Sequence, residues 1–287
     1  MDSKFLPTDY NREPITLIAG RGRYPALLTE IIRAKGIPLK LISIKSETDD
    51  SLIDGFSEED HVSLHLGKVN QLLKTLKSFE SKYVIMAGQI KPTRLFKDLN
   101  PDIKLVSILT KLKELNAETI FGSLVDEITM LGCTVLDARS FLDDHLASEG
   151  VMTLTKKQPS SNILEFGINM AQNIAHLNIG QSIVIKGKTI IAVEAFEGTN
   201  KMLKRVGELK LKDLIFFKTI KKSQDCRFDI PVFGLHTLEL MKSLKIQTAA
   251  LEKNSVILVD KPEVLKAAEK YKIQLIGFTS DKSSSLT

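Results

Sequence analysis

Residues 15–36, ITLIAGRGRYPALLTEIIRAKG, contain an apolar run, then two glycines, then apolar residues at helical spacing. This order predicts a buried strand, a tight turn and a helix. Pro25 suits the first turn of that helix, and Gly36 suits its C-terminus. A second apolar run, LKLISI, follows directly. The stretch therefore has the pattern of a strand–helix–strand unit in a parallel sheet.

The alternation of strands and helices continues beyond this stretch. Leucines at helical spacing occupy residues 66–76, YVIMAG indicates a further buried strand, residues 102–131 indicate a helix, and CTVLDA indicates a closing strand. We therefore predict a tail at residues 1–14 and an α/β domain at residues 15–140. That domain should be Rossmann-like, with a mainly parallel sheet.

A polar stretch, MTLTKKQPSSN at residues 152–162, separates this domain from the second half of the chain. We predict a linker over residues 141–162. After it, QSIVIKG and TIIAVEAF indicate two strands joined at a Gly187 turn, as in a hairpin or a tight bend. Further strands and helices then alternate. These patterns predict a second α/β domain at residues 163–279 and a disordered tail at residues 280–287.

Composition and charge disfavour several classes of protein. The chain has 287 residues, 43% of them hydrophobic, and its 40 basic and 35 acidic residues give a net charge of +5. The lysines are scattered rather than grouped in blocks, so we expect no nucleic-acid partner. The two cysteines, Cys133 and Cys226, fit a reducing compartment. We find no signal peptide or membrane span in the pattern and expect a cytoplasmic protein.

Charged residues concentrate after the predicted strand at residues 214–217. The alternation of Asp225, Arg227 and Asp229 with Cys226 and Phe228 would place three charged side chains on one face of a strand. Basic side chains can neutralise a diphosphate, and two carboxylates suffice for Mg²⁺, which usually keeps several waters. A solvated edge strand with ion pairs would show the same pattern. The candidate residues for a metal-assisted phosphoryl site are Lys218, Lys221, Gln224, Asp225, Arg227 and Asp229.

Two glycine turns between a predicted strand and a predicted helix are further candidates. In VEAFEGTN, Glu197 or Asn200 could bind a hard cation through oxygen, and Thr199 could cap the helix. In GRGRYP, the backbone N–H groups near Gly20 and Gly22 would suit a phosphate. A plain strand-to-helix turn would explain the second motif equally well.

Seven motifs together resemble one protein family. They are IAGRGRYP, AGQIKP, IGQSIVI, VEAFEGTN, KRVG, FKTIKKSQDCRFDIPVFGLHTLE and ILVDKPEVLKAAEKYKIQLIGF, and they extend over residues 15–278. They resemble the LpxI-type UDP-2,3-diacylglucosamine pyrophosphatases of Gram-negative lipid A synthesis. The resemblance implies two α/β domains with the substrate between them. It also implies Mg²⁺-dependent hydrolysis of the substrate's diphosphate by water attack at phosphorus, giving UMP and 2,3-diacylglucosamine 1-phosphate (lipid X).

The resemblance also implies roles for individual residues. Asp225 would be the essential carboxylate, with Asp229 and Glu197 as further metal ligands. The basic residues that offset charge on the phosphoryl oxygens would be Lys218, Lys221 and Arg227. The uridine nucleotide or the sugar would be seated by Gly20, Gly22, Gln181, Thr199, Asn200 and Gln224.

The chain departs from the usual residues of the family at three places. Asn200 and Asn178 stand where family sequences usually have Asp, and Lys222-Ser223 stands where they usually have Pro-Gly. The loss of a negative charge at Asn200 would weaken a direct metal contact. We therefore expect Asn200 to hydrogen-bond the substrate, because an amide keeps an acceptor oxygen and gains donors.

Two other kinds of function stay open. One is a nucleotide-binding or anion-binding protein without catalysis, in which these departures have disabled the site. The other is a nicotinamide-dependent oxidoreductase, which is disfavoured because the second strand ends at Lys45 rather than at an acidic residue. Because the substrate implied by the resemblance is acylated, a transient contact with the inner-membrane surface is also possible. The sequence leaves the oligomeric state open, and a homodimer is one possibility.

Overall fold

The computed structural model describes residues 2–90, 101–153 and 159–280. The chain forms two compact units: unit 1 comprises Met1–Leu142 and Asp225–Asp229, and unit 2 comprises Asp143–Gln224 and Ile230–Thr287. Each unit combines helices with a sheet, which confirms the predicted α/β class. Within the described residues, no helix has both the length and the apolar character needed to pass through a bilayer. The predicted disordered tail lies outside these residues from position 281 onwards.

Unit 1 is built on a parallel sheet with the strand order β3-β2-β1-β4-β5. Its strands are β1 (Ile15–Ala19), β2 (Leu39–Ile44), β3 (His61–Leu64), β4 (Tyr83–Ala87) and β5 (Thr134–Val135). Ile15 of β1 pairs with Leu39 on one side and with Tyr83 on the other. Every residue of β1 and β4 is buried, as expected for strands covered on both faces. This strand order is the Rossmann-like arrangement that the sequence predicts.

The helices of unit 1 include one departure from the prediction. They are α1 (Arg23–Ala34), α2 (Asp50–Ile53), α3 (Val69–Ser78), α4 (Ile103–Leu109) and α5 (Ala117–Met130). The prediction of a single helix over residues 102–131 is wrong, because α4 ends at Leu109 and a separate helix, α5, begins at Ala117. At the break, the Asn116 side chain accepts from the N–H of Thr119, and the Thr119 hydroxyl accepts from the N–H of Asn116. This capping box starts a new helix, although the leucine spacing continues across it.

Unit 2 contains a mixed sheet with the strand order β6-β13-β11-β9-β7-β8. Its strands are β6 (Gly150–Val151), β7 (Ser182–Lys186), β8 (Thr189–Val193), β9 (Leu214–Lys218), β11 (Thr248–Glu252) and β13 (Gln274–Phe278). β9, β11 and β13 are parallel, whereas β6, β7 and β8 run antiparallel to their neighbours. The antiparallel pairing of β7 with β8 confirms the hairpin predicted at Gly187. Two short strands, β10 (Val232–Phe233) and β12 (Ile257–Leu258), pair separately.

The register of this sheet brings polar residues to one edge. Ser182, the first residue of β7, pairs with Lys218, the last residue of β9, and Glu252 ends the neighbouring strand β11. The helices of unit 2 are α6 (Ser161–His176), α7 (Thr199–Glu208), α8 (Leu235–Ser243) and α9 (Lys261–Tyr271). In the predicted linker, residues 154–158 lie outside the described residues, while Asp143–His145 form a 3-10 turn and β6 pairs with β13.

Candidate functional site

The segment Asp225–Asp229 does not form the strand that its alternating charges suggested. It folds as a turn, in which the N–H of Asp229 donates to the carbonyl oxygen of Asp225 at 3.1 Å. The N–H of Arg227 donates to the Asp225 carboxylate, also at 3.1 Å. Such bonds from an aspartate side chain to nearby backbone compete with strand formation. The prediction of three charged side chains on one face of a strand is therefore wrong.

The apolar residues of this segment hold it in unit 1. The carbonyl oxygen of Cys226 accepts from the N–H of Ala138 at 2.7 Å, and the ring of Phe228 lies 5.9 Å from that of Phe121 in α5. Burial raises the pKa of the Cys226 thiol to about 11, so the thiol stays protonated at neutral pH. Cys226 therefore serves packing rather than nucleophilic chemistry.

Asp225 and Arg227 form a bidentate ion pair within the turn. The Arg227 Nε donates to Asp225 Oδ1 at 2.9 Å, and Nη2 donates to Oδ2 at 2.7 Å. These hydrogen bonds from the guanidinium hold the pKa of the Asp225 carboxyl below its ordinary value. Asp225 is therefore ionised at neutral pH, and Arg227 engages both of its oxygens.

A buried lysine lies at the carboxyl end of β9 in unit 2. Lys218 is 5% exposed, and its ammonium donates to Ser182 Oγ at 3.1 Å and to Thr199 Oγ1 at 2.9 Å. The Thr199 hydroxyl donates to Glu194 Oε1 at 2.8 Å, and Glu194 Oε2 lies 3.8 Å from the ammonium. A buried ammonium needs such partners, because removing an unpaired charge from water is costly. The structure thus brings the candidates Lys218 and Thr199 together and adds Ser182 and Glu194 to them.

The second candidate lysine of unit 2 is also buried. Lys221 is 8% exposed, and its ammonium donates to Asn178 Oδ1 at 2.8 Å. Asn178 has a φ of 58°, in the left-handed region that asparagine adopts more readily than most residues. Because the Asn178 amide is neutral, this contact satisfies a donor of Lys221 without cancelling its charge.

Glu252 fixes the chain between the two lysines. Its carboxylate, at the end of β11, accepts from the Thr219 hydroxyl and from the N–H of Ile220, the latter at 3.1 Å. The N–H of Thr219 donates to the carbonyl oxygen of Gln181 at 2.9 Å. These bonds attach residues 219 and 220 to neighbouring strands. The backbone between Lys218 and Lys221 is therefore held in one position at the edge of the sheet.

Three further candidates of unit 2 have different surroundings. Glu197 forms an ion pair with Arg205 of α7. Asn200 is exposed in the first turn of α7. The N–H of Gln224 donates to the carbonyl oxygen of Lys221 at 3.0 Å. Of the two glutamates that precede Gly198, the structure therefore places Glu194, rather than Glu197, in the Lys218 network.

In unit 1, protein groups occupy the glycine turn. A Cβ at Gly20 would lie 2.6 Å from a backbone carbonyl oxygen. The N–H of Gly22 donates to Asp49 Oδ2 at 3.2 Å. Arg21 pairs with Glu47 at 3.0 Å, and Glu47 is only 2% exposed. The Gly22 N–H and the Arg21 guanidinium, which would suit a phosphate, are thus engaged by carboxylates of the same unit.

The predicted Mg²⁺ ligands do not fit a ready-made metal centre. Asp225 is engaged by Arg227 and Glu197 by Arg205, so a metal ion would compete with a guanidinium at each carboxylate. Across residues 2–90, 101–153 and 159–280, no three His, Cys, Asp or Glu side chains are grouped so that they could hold a metal ion. We therefore derive no step of the chemistry through a bound metal.

Comparison with known proteins identifies the family. Residues 14–145 match the model of the LpxI N-terminal domain, and residues 148–276 match the model of the LpxI C-terminal domain. The chain belongs to the LpxI family. The curated UDP-2,3-diacylglucosamine pyrophosphatase LpxI of Caulobacter vibrioides is 24% identical to it over 273 residues, which are 91% of this chain and 96% of that protein. The family resemblance of the sequence motifs is thus confirmed.

Sequence reasoning about this LpxI chain missed Ser182 and Glu252 and preferred Glu197 to Glu194. Ser182 joins the network through the β7–β9 register, which no local pattern reveals. Glu252 is distant in sequence and reaches Thr219 only through the β9–β11 pairing. Glu194 had a local signal, because an acid before a glycine turn and a threonine after it can hydrogen-bond across that turn.

Proposed function

We propose that the chain hydrolyses the diphosphate of UDP-2,3-diacylglucosamine to UMP and 2,3-diacylglucosamine 1-phosphate, in lipid A biosynthesis. Membership of the LpxI family and similarity to the UDP-2,3-diacylglucosamine pyrophosphatase of Caulobacter vibrioides support this reaction. The structural observation that carries it is the buried Lys218 ammonium, which hydroxyl groups hold at the edge of the unit 2 sheet.

The chemistry of the two buried lysines suits a diphosphate. Attack of water on phosphorus moves negative charge onto the phosphoryl oxygens, and donors fixed in a water-poor site stabilise that charge better than water does. The Lys218 ammonium has three N–H bonds, and the hydroxyls of Ser182 and Thr199 accept two of them. In this proposal the third N–H donates to a phosphoryl oxygen, and Lys221 adds a second positive charge.

The proposal includes Mg²⁺ and the acidic segment. Asp225 and Asp229 supply the carboxylate oxygens that Mg²⁺ prefers. These residues would hold the ion, which would offset negative charge on the diphosphate. Arg227, which engages Asp225 in this structure, would add a further positive charge for the phosphoryl oxygens.

The remaining predicted contacts also stay part of the proposal. The nucleotide or sugar would be seated by Gly20, Gly22, Gln181, Thr199, Asn200 and Gln224. Use of Gly22 requires the substrate to replace Asp49 at its N–H. A cytoplasmic location, a transient contact with the inner-membrane surface and a homodimer stay predictions.

Incubation of the purified protein with UDP-2,3-diacylglucosamine in ¹⁸O-labelled water tests the proposal. We expect UMP and the diacylglucosamine phosphate in the presence of MgCl₂, and neither product in excess EDTA. The product that carries ¹⁸O identifies the phosphorus atom that water attacks. Activity unaffected by EDTA would remove Mg²⁺ from the proposal. Binding of the substrate without release of UMP would contradict hydrolysis and favour a non-catalytic binding protein.

A further inference from the structure

Glu194 is held in unit 2 by backbone contacts as well as by its side chain. Its N–H donates to the carbonyl oxygen of Ser182 at 2.9 Å. On the other side, a Cβ at Gly180 would lie 2.0 Å from the carbonyl oxygen of Glu194, so only glycine permits this approach. Glu194 therefore sits at a fixed place after β8, next to the strand end that carries Lys218.

The directions of the hydrogen bonds connect Glu194 to Lys218 through Thr199. The Thr199 hydroxyl has one hydrogen, which it donates to Glu194 Oε1, and its oxygen then accepts from the Lys218 ammonium. If Glu194 did not take that hydrogen, the hydroxyl could rotate and point it towards the ammonium. The Glu194 carboxylate thus determines that Thr199 presents a lone pair to Lys218.

Within the described residues, one N–H of the Lys218 ammonium and one carboxylate oxygen of Glu194 lie near each other outside these hydrogen bonds. Glu194 Oε2 is buried and has no hydrogen-bond partner within the described residues. It lies 3.8 Å from the Lys218 ammonium, which is too long for a hydrogen bond. A buried carboxylate oxygen without a partner is costly, so a ligand or water that donates to it would be stabilised there.

We propose that Glu194 is a positioning residue, which aims the Lys218 ammonium through Thr199 and leaves Oε2 as an acceptor beside it. The Lys218 ammonium and Glu194 Oε2 together form a binding site for a ligand in which an anionic oxygen lies next to a hydroxyl or a water. The phosphoryl oxygen binds Lys218, and the hydrogen-bond donor binds Glu194 Oε2. This assignment rests on the proposed function, because the diphosphate and its attacking water supply both groups.

Substitutions along this chain of hydrogen bonds separate positioning from packing. We expect Glu194→Gln and Thr199→Val each to lower kcat for UDP-2,3-diacylglucosamine by about 10-fold to 100-fold, since small misplacements of a catalytic group have effects of this size. KM should change much less. The double variant should be no slower than the slower single variant, because both changes break the same connection. Thr199→Ser keeps the hydroxyl and should retain most of the wild-type activity. Glu208→Gln, on the exposed end of α7, is the matched control and should leave kcat unchanged.

An NMR measurement tests the positioning without substrate. In protein labelled with ¹⁵N-lysine, an ordered and buried ammonium gives a Nζ signal, and Lys218→Met assigns that signal by its disappearance. We expect the signal to persist in Thr199→Ser and Glu208→Gln and to broaden beyond detection in Glu194→Gln and Thr199→Val. Circular dichroism of each variant verifies that it is folded. An unchanged signal and unchanged kcat in folded Glu194→Gln would overturn the proposal. Absence of hydrolysis by the wild-type protein would instead overturn the proposed function, and the NMR result would still decide whether Glu194 positions Lys218.

Discussion

Both units contain a strand, a glycine with positive φ and a helix in succession, yet the two turns use their polar groups differently. In unit 1, Gly22 precedes α1 with a φ of 94°, and Asp49 accepts from its N–H. In unit 2, Gly198 precedes α7 with a φ of 82°, and Thr199 links Glu194 to the buried Lys218. In the first turn, a carboxylate of the same unit accepts from the glycine N–H. The second turn borders on a buried ammonium, which donates two of its three N–H groups to hydroxyls.

Residues at the ends of nearby strands account for this difference. In unit 1, the chain after β2 supplies two carboxylates, Glu47 and Asp49, to the turn at Gly22. In unit 2, the neighbouring strand β7 is flanked by β9, which ends in Lys218. The same local fold therefore places its polar groups against carboxylates in unit 1 and against a buried ammonium in unit 2, according to the residues that nearby strands bring. We expect the largest effect on activity when Lys218 is replaced.

Lys218→Met should abolish most of the activity and leave the fold intact. Loss of one fixed donor to a developing negative charge lowers kcat by about 100-fold to 1,000-fold in comparable sites. Methionine has a similar length, but it leaves the Glu194 carboxylate without the ammonium beside it, so we also expect a loss of about 1–3 kcal/mol in unfolding free energy, and circular dichroism verifies that the variant is folded. Turnover of UDP-2,3-diacylglucosamine measures the effect, and Lys204→Met, on the exposed face of α7, is the control. Wild-type turnover in Lys218→Met would show that the unit 2 turn is as structural as that of unit 1.

Alanine at each of the two glycines compares the turns directly. Gly22 and Gly198 have ψ values of 173° and 164°, a region that is nearly exclusive to glycine, and an added Cβ would meet nothing within 4 Å at either site. We therefore expect Gly22→Ala and Gly198→Ala to lose a similar unfolding free energy, about 1–3 kcal/mol, from backbone strain alone. Chemical denaturation measures this loss.

The two alanine variants should differ in kcat/KM although they lose a similar unfolding free energy. Gly198→Ala shifts the start of α7 and with it Thr199, so its kcat/KM should fall further than that of Gly22→Ala. Equal losses of kcat/KM would indicate that Gly22 seats the nucleotide in spite of Asp49, as the sequence motif suggested.

The sequence predicted the fold better than it predicted the site. The apolar runs of β1 and β4, the hairpin at Gly187 and the basic residues Lys218 and Lys221 all follow from local patterns. The pairing of Ser182 with Lys218 depends on strand register, and register is set by contacts distant in sequence. Local patterns also failed at Asp225, because alternating charges are compatible with a strand while the aspartate's own hydrogen bonds favour a turn.

Asn178→Asp should stabilise unit 2. Aspartate also tolerates the positive φ at this position, and its carboxylate would pair with the buried Lys221. Hydrogen bonds to charged groups contribute more than neutral ones, so we expect a gain of about 1 kcal/mol in unfolding free energy at pH 7. The gain should disappear in a Lys221→Met background. Its persistence there would show that the stabilisation comes from elsewhere, and its absence in both backgrounds would show that the Lys221 contact is not the one described.

The smallest expected effect concerns the Asp225–Arg227 pair, which contrasts with the Lys218 network because it is partly exposed to water. Hydrogen bonds from Arg227 lower the folded-state pKa of Asp225 below its ordinary value of 3.8. A lowered pKa means that the pair's stabilisation is complete above that ordinary value and is lost as the pH falls through the folded-state pKa. Solvent screening limits it to about 0–1 kcal/mol.

Asp225→Asn should therefore lower the unfolding free energy slightly at pH 7, and the difference from wild type should vanish in acid, below the folded-state pKa. Urea denaturation over this pH range measures the difference. Because raised ionic strength screens exposed charges more than buried ones, the difference at pH 7 should also shrink in high salt. A difference that is independent of both pH and salt would mean that the charge of Asp225 does not stabilise the turn. In that case Arg227 could leave the carboxylate for a phosphoryl oxygen at little energetic cost.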